Sequence, residues 1–440
     1  MMQYDLIIIG SGPGGYVSAI RAGQTGLKTL VIDKKYIGGM CLNWGCIPTK
    51  SLIESAKTSR KVMTAMDFGI TGIDPEKVGF DWAKAVGRTE TVVKRLTKGI
   101  EYLWKKNGVD FILGEAKITG QNEVTVNNQV ITAKNIIIAT GSKPMPIELP
   151  ERPVELEELL SQPELAQKPV LYGRGAITVE IAQLFKLLGR EPIIVTDDEP
   201  LIPGLDDALN SWILKKLKKD KIQVLPQSEV SYKDGKMQYK GDILVYDAVI
   251  NTSLRRAILP SCYTDIATHN GYISTDENFM TSIPNVYAIG DVNGRSYLAH
   301  AASAQGLKVV DWLHGNQREY DDKKIPINIY SQPEMAQIGI TEQAAKQTGT
   351  EYQIKEYPLT ANGKALAEGN TEGMIRMIFE PKYKQVIGMQ IIAENATDMI
   401  AEAGVMMELE GTIYDLSNTI HAHPTVSEVF MEVGSAALEE

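Results

Sequence analysis

The stretch Leu6-Ile7-Ile8-Ile9-Gly10-Ser11-Gly12-Pro13-Gly14-Gly15 decides how the chain is read. A run of large apolar residues is a buried strand, and glycines at G-x-G-x-x-G spacing (Gly10, Gly12, Gly15) make the turn that leaves it. A helical stretch follows to about Thr25, and a second strand, Thr29 to Ile32, ends at Asp33. The order is β-α-β. Its glycines let the backbone approach a pyrophosphate and let the helix pack closely, and an acid ~20 residues on accepts from a ribose hydroxyl. Alone, the glycines would be read as an ordinary turn; strand, helix, strand and acid in sequence make a dinucleotide site.

The same pattern returns at an offset of 163 residues. Val170 to Tyr172 reads as a strand, Gly173-Arg174-Gly175 as the turn, Ala176 to Leu188 as the helix and Ile193 to Val195 as the second strand. Gly10 maps to Gly173 and Gly12 to Gly175, but Gly15 maps to Thr178 and Asp33 to Thr196. The second copy is degraded. Two nucleotide folds in one chain point to two nucleotides with electrons moving between them, against the plainer reading of a relic that has lost its ligand. Between the copies, Asn135 to Ile138 is another apolar strand, followed by Ala139-Thr140-Gly141, where the chain leaves one sheet for the next domain. Further on, Val286-Tyr287-Ala288-Ile289 ends at Gly290-Asp291, an acid at the carboxyl end of a strand that can hold a ligand hydroxyl. From about Ile325 the pattern changes to short strands (Ile327 to Tyr330, Met374 to Phe379, Gln385 to Ile392) around a helix, Ala396 to Leu409. That helix carries Met399, Met406 and Met407 on a face expected to be core or subunit contact.

Composition bounds the function. The chain has 440 residues, 45 Lys and Arg against 55 Asp and Glu, a net charge of −10, and 43% hydrophobic residues, which suits a globular protein of roughly three domains. Scattered basic residues disfavour nucleic acid as a partner. No apolar run approaches the ~20 residues of a membrane span, and the N-terminus enters a strand without a basic leader, so a cytoplasmic location is expected. Three cysteines exclude a disulfide-stapled secreted scaffold.

Two of those cysteines lie together in Cys41-Leu42-Asn43-Trp44-Gly45-Cys46. One turn of chain brings the sulfurs together if a helix starts near Cys46. Metal binding would need further Cys or His at short spacing, and none is near, so redox cycling is the better reading. Cys262 stands alone and reads as an inert thiol. The chain has five histidines, of which two stand in Ile420-His421-Ala422-His423-Pro424-Thr425, with Glu428 beyond them. Thiol chemistry needs a base near neutral pKa, and a carboxylate on the other ring nitrogen orients it; His423 with Glu428 fits, although a His-Pro pair alone would be read as a surface turn.

The segment Gly38-Gly39-Met40-Cys41-Leu42-Asn43-Trp44-Gly45-Cys46-Ile47-Pro48-Thr49-Lys50 resembles the active-site signature of the flavin-dependent pyridine nucleotide-disulfide oxidoreductases. Together with His421-Ala422-His423-Pro424-Thr425-Val426-Ser427-Glu428, Asn395 to Ala403 and Tyr287 to Asp291, it looks most like the branch that oxidises dihydrolipoyl groups. The resemblance spans essentially the whole chain. It implies an α/β protein with two Rossmann-like nucleotide-binding domains, for FAD and NAD, and an α+β C-terminal dimerisation domain. The expected boundaries are 1–145 for FAD, 146–264 for NAD, 265–324 for a central domain completing the FAD site, and 325–440 for the interface.

For FAD, the resemblance implies Gly10, Ser11, Gly12, Pro13, Gly14 and Gly15 at the pyrophosphate, Asp33 at the adenosine ribose, and Lys50 near flavin N5. Gly39, Met40 and Ala139-Thr140-Gly141 join that site, Gly114-Glu115-Ala116 resembles the adenine contact, and Gly290-Asp291 with Leu298-Ala299-His300-Ala301 resembles the ribityl and pyrimidine contacts. For NAD it implies Gly173, Gly175, Thr196 and Glu180, the last pairing with Lys50 beside the nicotinamide. A Cys41-Cys46 disulfide would exchange with the substrate dithiol, Cys46 facing the flavin, and a homodimer would bring His423 and Glu428 to the other subunit's cysteines. The implied partners are lipoyl-bearing proteins: the transacylase of a 2-oxo acid dehydrogenase complex or a glycine-cleavage carrier.

The departures concentrate in the second nucleotide site. Thr178 adds bulk at the third glycine, Thr196 replaces the acid, and the family's Val-Gly-Arg-x-Pro-Asn stretch is barely recognisable in Asn251-Thr252-Ser253-Leu254-Arg255-Arg256. NADP is disfavoured further, because no Arg follows Thr196 and the carboxylates of Asp197 and Asp198 would repel a 2′-phosphate. Rival readings are a glutathione-type reductase, a mercuric reductase, whose usual C-terminal cysteine pair is missing beyond Cys262, and a flavoprotein sensor or scaffold with an impaired pyridine nucleotide site.

Overall fold

The computed structural model describes residues 3–197 and 199–439; Asp198 lies outside the described residues. The chain divides into two units, Met1–Ala166 with Ala248–Asp322, and Gln167–Asp247 with Lys323–Glu440.

The first unit begins β1 (Tyr4–Ile9), α1 (Pro13–Gln24), β2 (Thr29–Asp33), α2 (Gly39–Asn43), α3 (Cys46–Met63), α4 (Trp82–Lys106), β3 (Val109–Leu113), β4 (Lys117–Gly120), β5 (Glu123–Val126) and β6 (Gln129–Ile138). The second half of β6 lies parallel to β1, and the order β6-β1-β2-β3 puts Ile7 opposite both Leu30 and Ile136. Strand Val286–Ala288 joins the other side of β6, also parallel. Both faces of this sheet are covered, so its strands read as continuous apolar runs. Ile7, Ile9, Leu30, Ile32, Ile136 and Ile138 enter one core, and Leu6, Ile8, Val31 and Ile137 enter the other, which α1 and α4 help to cover. The first half of β6 instead pairs antiparallel with β5, which pairs with β4. Only the apolar end of this ten-residue strand is visible in the sequence, because its first half is one-sided.

Two glycines of the first turn are sterically obligatory. Gly10 has φ +105°, and a Cβ there would lie 2.2 Å from the Ala139 carbonyl oxygen; a Cβ at Gly15 would lie 2.0 Å from that of Gly10. Gly14 and Ser18 of α1 also face helix Ala299–Leu313, where a Cβ at Gly306 would come within 2.1 Å of Ser18 Oγ.

The second unit repeats the motif as β7 (Pro169–Gly173), α5 (Ala176–Leu187), β8 (Ile193–Thr196), α6 (Asp207–Lys219) and β9 (Gln223–Pro226), with parallel order β9-β8-β7. Helix α5 begins and ends 163 residues after α1, so the offset seen in sequence is structural. Thr178 is accommodated with no exposure at all. The rest of this unit is an antiparallel sheet, β10 (Ile327–Ile329), β11 (Glu334–Gly339), β12 (Gln353–Pro358), β13 (Met374–Phe379) and β14 (Val386–Ala393), ordered β10-β11-β14-β13-β12. Helices α7 (Ala396–Glu408) and α8 (Glu428–Leu438) pack on it. Met399 is inside the core and Met406 and Met407 pack against it, so the methionine face serves packing. Strands β11 and β12 were not expected from the sequence.

Arg376 of β13 holds a buried cluster in this unit. Its guanidinium lies 3.2 Å from Asp206, 3.0 Å from Glu356 and 2.7 Å from Gln390 Oε1, and it also pairs with Glu342. Asp206 in turn caps α6 by accepting from Ala208 N at 2.9 Å. Removing one partner of a buried pair leaves the other charge uncompensated. Arg376→Met is therefore expected to cost about 3–5 kcal/mol, seen as a lower midpoint of urea unfolding followed by far-UV circular dichroism. A midpoint equal to the parent's would mean that the cluster contributes nothing net.

Candidate active site

The site in the first unit is built around Ser11, which is fully buried. Its backbone N–H donates to Asp33 Oδ2 at 2.8 Å, and its hydroxyl lies 2.7 Å from the same oxygen and 2.9 Å from the Tyr36 carbonyl. Gly38 N donates back to the Ser11 carbonyl at 3.1 Å. Asp33 Oδ1 also accepts from Lys35 N at 2.9 Å. The turn after β1 is thereby stitched to the segment that leads into α2. Gly39 (φ +60°) completes the approach, since a Cβ there would fall 2.6 Å from Gly12 Cα. Asn43 closes α2 by donating to the carbonyls of Ile37 at 2.9 Å and Gly39 at 2.8 Å.

Cys46 is the first residue of α3, an 18-residue helix. Pro48 fits in this first turn because no intrahelical N–H is needed there. A helix N-terminus carries about half a positive charge, which favours an anionic sulfur at Cys46. No disulfide joins Cys41 to Cys46 in this structure; the Cys41 thiol is hydrogen-bonded to Cys46 instead. That bond, then burial and the charge at Cys46, push the Cys41 thiol well above its usual range, while Lys50 pulls it down. Of the two sulfurs, only that of Cys46 stands at the N-terminus of the long helix. Tyr16 of α1 stands beside both, its hydroxyl raised by burial and by the cysteine charges.

A second polar cluster surrounds Asp291. Burial pushes its carboxyl up, opposed by a short bond from Ser142 Oγ and by Arg255, 4.0 Å away. Arg255 donates to Ser142 Oγ at 2.8 Å and to its carbonyl at 2.6 Å, and its guanidinium lies 6.0 Å from the centre of the Trp44 ring. Its side chain is 9% exposed, and Nη1 is buried without a partner. Burial lowers its pKa, while Asp291 and Cys46 draw it up. A carboxylate and an unsatisfied buried donor side by side suit a ligand rich in hydroxyls or phosphate.

The other residues expected at this site border the same strand ends. Gly114 N donates to the Asp33 carbonyl at 2.8 Å, Ala116 is buried, and Ala139 N donates to Ile9 O at 2.8 Å. Thr140 Oγ1 donates to Ile258 O at 2.5 Å, and Gly141 accepts from Ile258 N at 2.9 Å. Gly290 N donates to Gln305 Oε1 at 2.7 Å, and Leu298 caps the helix containing Ala299, His300 and Ala301. Met40 lies in α2. Cys262 packs against the core, its thiol raised by burial, which accords with an inert role. Sequence reasoning missed Tyr16, Ser142 and Arg255. A signal for Arg255 existed in two adjacent arginines after an apolar strand.

In the second unit, His423 Nδ1 lies 2.9 Å from Glu428 Oε1. Glu428 is the first residue of α8 and accepts from Thr425 N at 2.8 Å; this bond, then His423, hold its carboxyl below the usual range. With Nδ1–H donated inward, Nε2 is the basic nitrogen on a side chain that is 78% exposed. His421 is bonded to Glu402 at 2.6 Å and to the Thr419 carbonyl at 3.0 Å. Glu180 is buried in α5 and accepts from Tyr330 N at 3.0 Å. Gly173 and Gly175 open the β7–α5 turn at φ +142° and +106°. Thr196 ends β8, buried, with its hydroxyl unpartnered. Among the described residues, no helix is long and apolar enough to cross a membrane.

A family model described as pyridine nucleotide-disulphide oxidoreductase matches residues 4–306, and that family's dimerisation domain matches 325–433. Among curated proteins, the dihydrolipoyl dehydrogenase of Mycoplasma genitalium is 37% identical, covering 99% of this chain and 99% of its own. One of Bacillus subtilis is 36% identical, covering 99% of this chain and 97% of its own. The HOCl-induced flavoprotein disulfide reductase RclA from Escherichia coli, in its Cu(II) complex, superposes with a TM-score of 0.86 at 23% identity, over 99% of this chain and 100% of that one. This last likeness is one of fold.

The inequality of the two sulfurs is testable. In Cys46→Ser, Cys41 loses its acceptor and its negative neighbour, so its thiol is expected to ionise at lower pH than in the parent. Lys50→Met, which removes the nearby cation, should move it to higher pH. Site-resolved alkylation of Cys41 against pH measures both; a midpoint that rises in Cys46→Ser would refute this electrostatic account.

Proposed function

The chain belongs to the pyridine nucleotide-disulphide oxidoreductase family, and from that premise we propose how its residues carry out the oxidation of protein-bound dihydrolipoyl groups, as a dihydrolipoyl dehydrogenase does. The observation that carries the reading is Cys41 of α2 hydrogen-bonded to Cys46 at the start of α3, with Lys50 one turn along that helix. FAD fits the first unit: the glycine cradle of Gly10 to Gly15 takes the pyrophosphate, Asp33 the adenosine ribose, and Asp291 with the unsatisfied Nη1 of Arg255 the ribityl and phosphate oxygens. When bound, FAD would supply a two-electron acceptor for the dithiol, and NAD on residues 173–196 would carry the electrons away as hydride.

The chain's own groups handle the protons and sulfurs. In the oxidised protein, Cys41 and Cys46 form the disulfide. His423 Nε2, its ring held by Glu428, takes the proton of a substrate thiol, and the resulting thiolate attacks Cys41 Sγ. The Cys41-Cys46 bond breaks and its electron pair leaves on Cys46, where the helix N-terminus receives the charge. The second substrate thiol, its proton passing to Cys41, then attacks the substrate sulfur bound to Cys41; that bond breaks with its electron pair on Cys41, releasing the cyclic disulfide and leaving Cys41 as a thiol hydrogen-bonded to the Cys46 thiolate. Lys50 neutralises part of the charge on the pair.

The matched dimerisation domain supports a homodimer, in which His423 and Glu428 of one subunit serve the cysteines of the other. We assign 1–145 and 265–324 to FAD, 146–264 to NAD and 325–440 to the interface. The substrates are lipoyl groups on a transacylase of a 2-oxo acid dehydrogenase complex or on a glycine-cleavage carrier, met in the cytoplasm.

Anaerobic titration of the purified holoenzyme with dihydrolipoamide tests the dithiol half: two electrons per subunit should be taken up and two thiols become alkylatable. In His423→Gln, steady-state dihydrolipoamide oxidation is expected to fall by about 10²–10⁴-fold, with NADH-driven reduction of ferricyanide kept. Equal loss of both activities would remove His423 from the thiol step.

A further inference from the structure

We propose that His421 is the residue that positions the base of the thiol step: its ring, held at both nitrogens, anchors the segment from which His423 projects. The inference rests on the reading of His423 as the group that takes the proton of a substrate thiol. It starts from the segment itself. Residues 420–427 lie between helix Ile413–Asn418 and α8 in neither helix nor strand, so no ladder of regular backbone bonds sets where His423 stands. Ile420 is 95% exposed and the His423 side chain 78%, whereas the His421 side chain between them is only 7% exposed.

Three groups meet the inward-turned ring. Nε2 lies 2.6 Å from Glu402 Oε1 of α7, Nδ1 lies 3.0 Å from the Thr419 carbonyl, and the ring stacks on that of Phe430 in α8 with centres 6.3 Å apart. A carbonyl oxygen only accepts, so Nδ1 carries a proton; Nε2 faces a carboxyl group and either donates to it or accepts from it. Neither nitrogen is left to take a proton from a substrate. His421 is thereby excluded as the base, although it stands in the same motif as His423, and its contacts tie the segment to α7 and α8. The downstream end is tied as well. Thr425 N donates to Glu428 Oε2 at 2.8 Å, Thr425 Oγ1 donates to the Ala422 carbonyl at 2.7 Å, and Asn362 Nδ2 donates to the Thr425 carbonyl at 3.0 Å.

The bond from His423 Nδ1 to Glu428 fixes which way that ring faces, but not where its backbone stands. The backbone is placed from both sides, by Thr425 two residues downstream and by His421 two residues upstream. A general base acts only within hydrogen-bond reach of the proton it takes, and a displacement of ~1 Å costs up to about 10²-fold. Without the His421 anchor, residues 420–424 would keep only their downstream tie, and the Nε2 of His423 would be spread over a range of positions. The two histidines of the motif thus divide between them the holding of the segment and the proton.

The test compares kcat and KM for dihydrolipoamide with NADH-driven reduction of ferricyanide in the FAD-loaded protein. His421→Leu, which keeps an apolar body against Phe430 and loses both hydrogen bonds, should lower kcat for dihydrolipoamide by about tenfold, within the range for a misplaced base, with KM changed less and ferricyanide reduction kept. In the His423→Gln background the same substitution should cost nothing further, because it acts through that ring. Glu402→Gln, whose amide can bond Nε2 in either protonation state, should retain more of the dihydrolipoamide activity than Glu402→Ala. An unchanged kcat in His421→Leu, an equal loss of both activities, or losses that multiply in the double variant overturn the proposal and leave the role of His423 intact. If His423→Gln oxidises dihydrolipoamide as fast as the parent, the reading of His423 as the base fails, and this inference with it.

Discussion

The Asp33 carboxylate accepts from the Ser11 N–H and lies within hydrogen-bond distance of its hydroxyl, fixing the end of β2 to the turn after β1. Much else depends on this contact. Ser11 is fully buried, so its polar atoms must be satisfied by protein, and the partners available are Asp33, Tyr36 and Gly38. Once those bonds are made, Gly39 sits against Gly12, and α2 and α3 start where they do. The glycine turn after β1 and the segment that leads to Cys41 are thus tied together through one buried serine.

Electrostatics divides the labour beyond that segment. Cys46 stands at the helix terminus and the Cys41 thiol is hydrogen-bonded to it, so the two sulfurs sit in different fields. Arg255 and Lys50 supply positive charge from different elements, one buried with a donor to spare and the other one turn along α3. In the second unit the same logic uses a carboxylate: Glu428 is stabilised as an anion by the start of α8 and by Thr425 N, and is therefore a dependable acceptor for His423.

The parts legible in sequence were those whose signal is local. A doubly covered parallel strand is an unbroken apolar run, a glycine-rich turn shows its spacing, and the cysteines are five positions apart, so all three could be read, and the 163-residue offset placed α5 to within one residue of its end. The methionine face of α7 was likewise legible as packing. Strands β11 and β12 were not, because β12 is an edge strand with little burial and β11 carries polar residues that bond to other parts of its unit. Arg255 and Ser142 were missed because their meaning comes from a contact across more than a hundred residues. The loss of an acid at Thr196 was visible, whereas the bonding of His421 to Glu402 needed the fold.

The close approach of α1 to helix Ala299–Leu313 bears on the order in which the chain matures. With Gly306 against Ser18, and Val286–Ala288 completing the sheet beside β6, the first unit needs residues that leave the ribosome only after the whole of 167–247. Until then α1 presents Gly14 and Ser18 with nothing to pack on, and β6 has an open edge, the condition in which nascent chains are most prone to mispair. The segment that interrupts the first unit pairs its own three parallel strands locally, but its buried Asp206 still waits for Arg376. The first strand finds its partners early, whereas the first helix completes its packing only once residues 299–313 have been made.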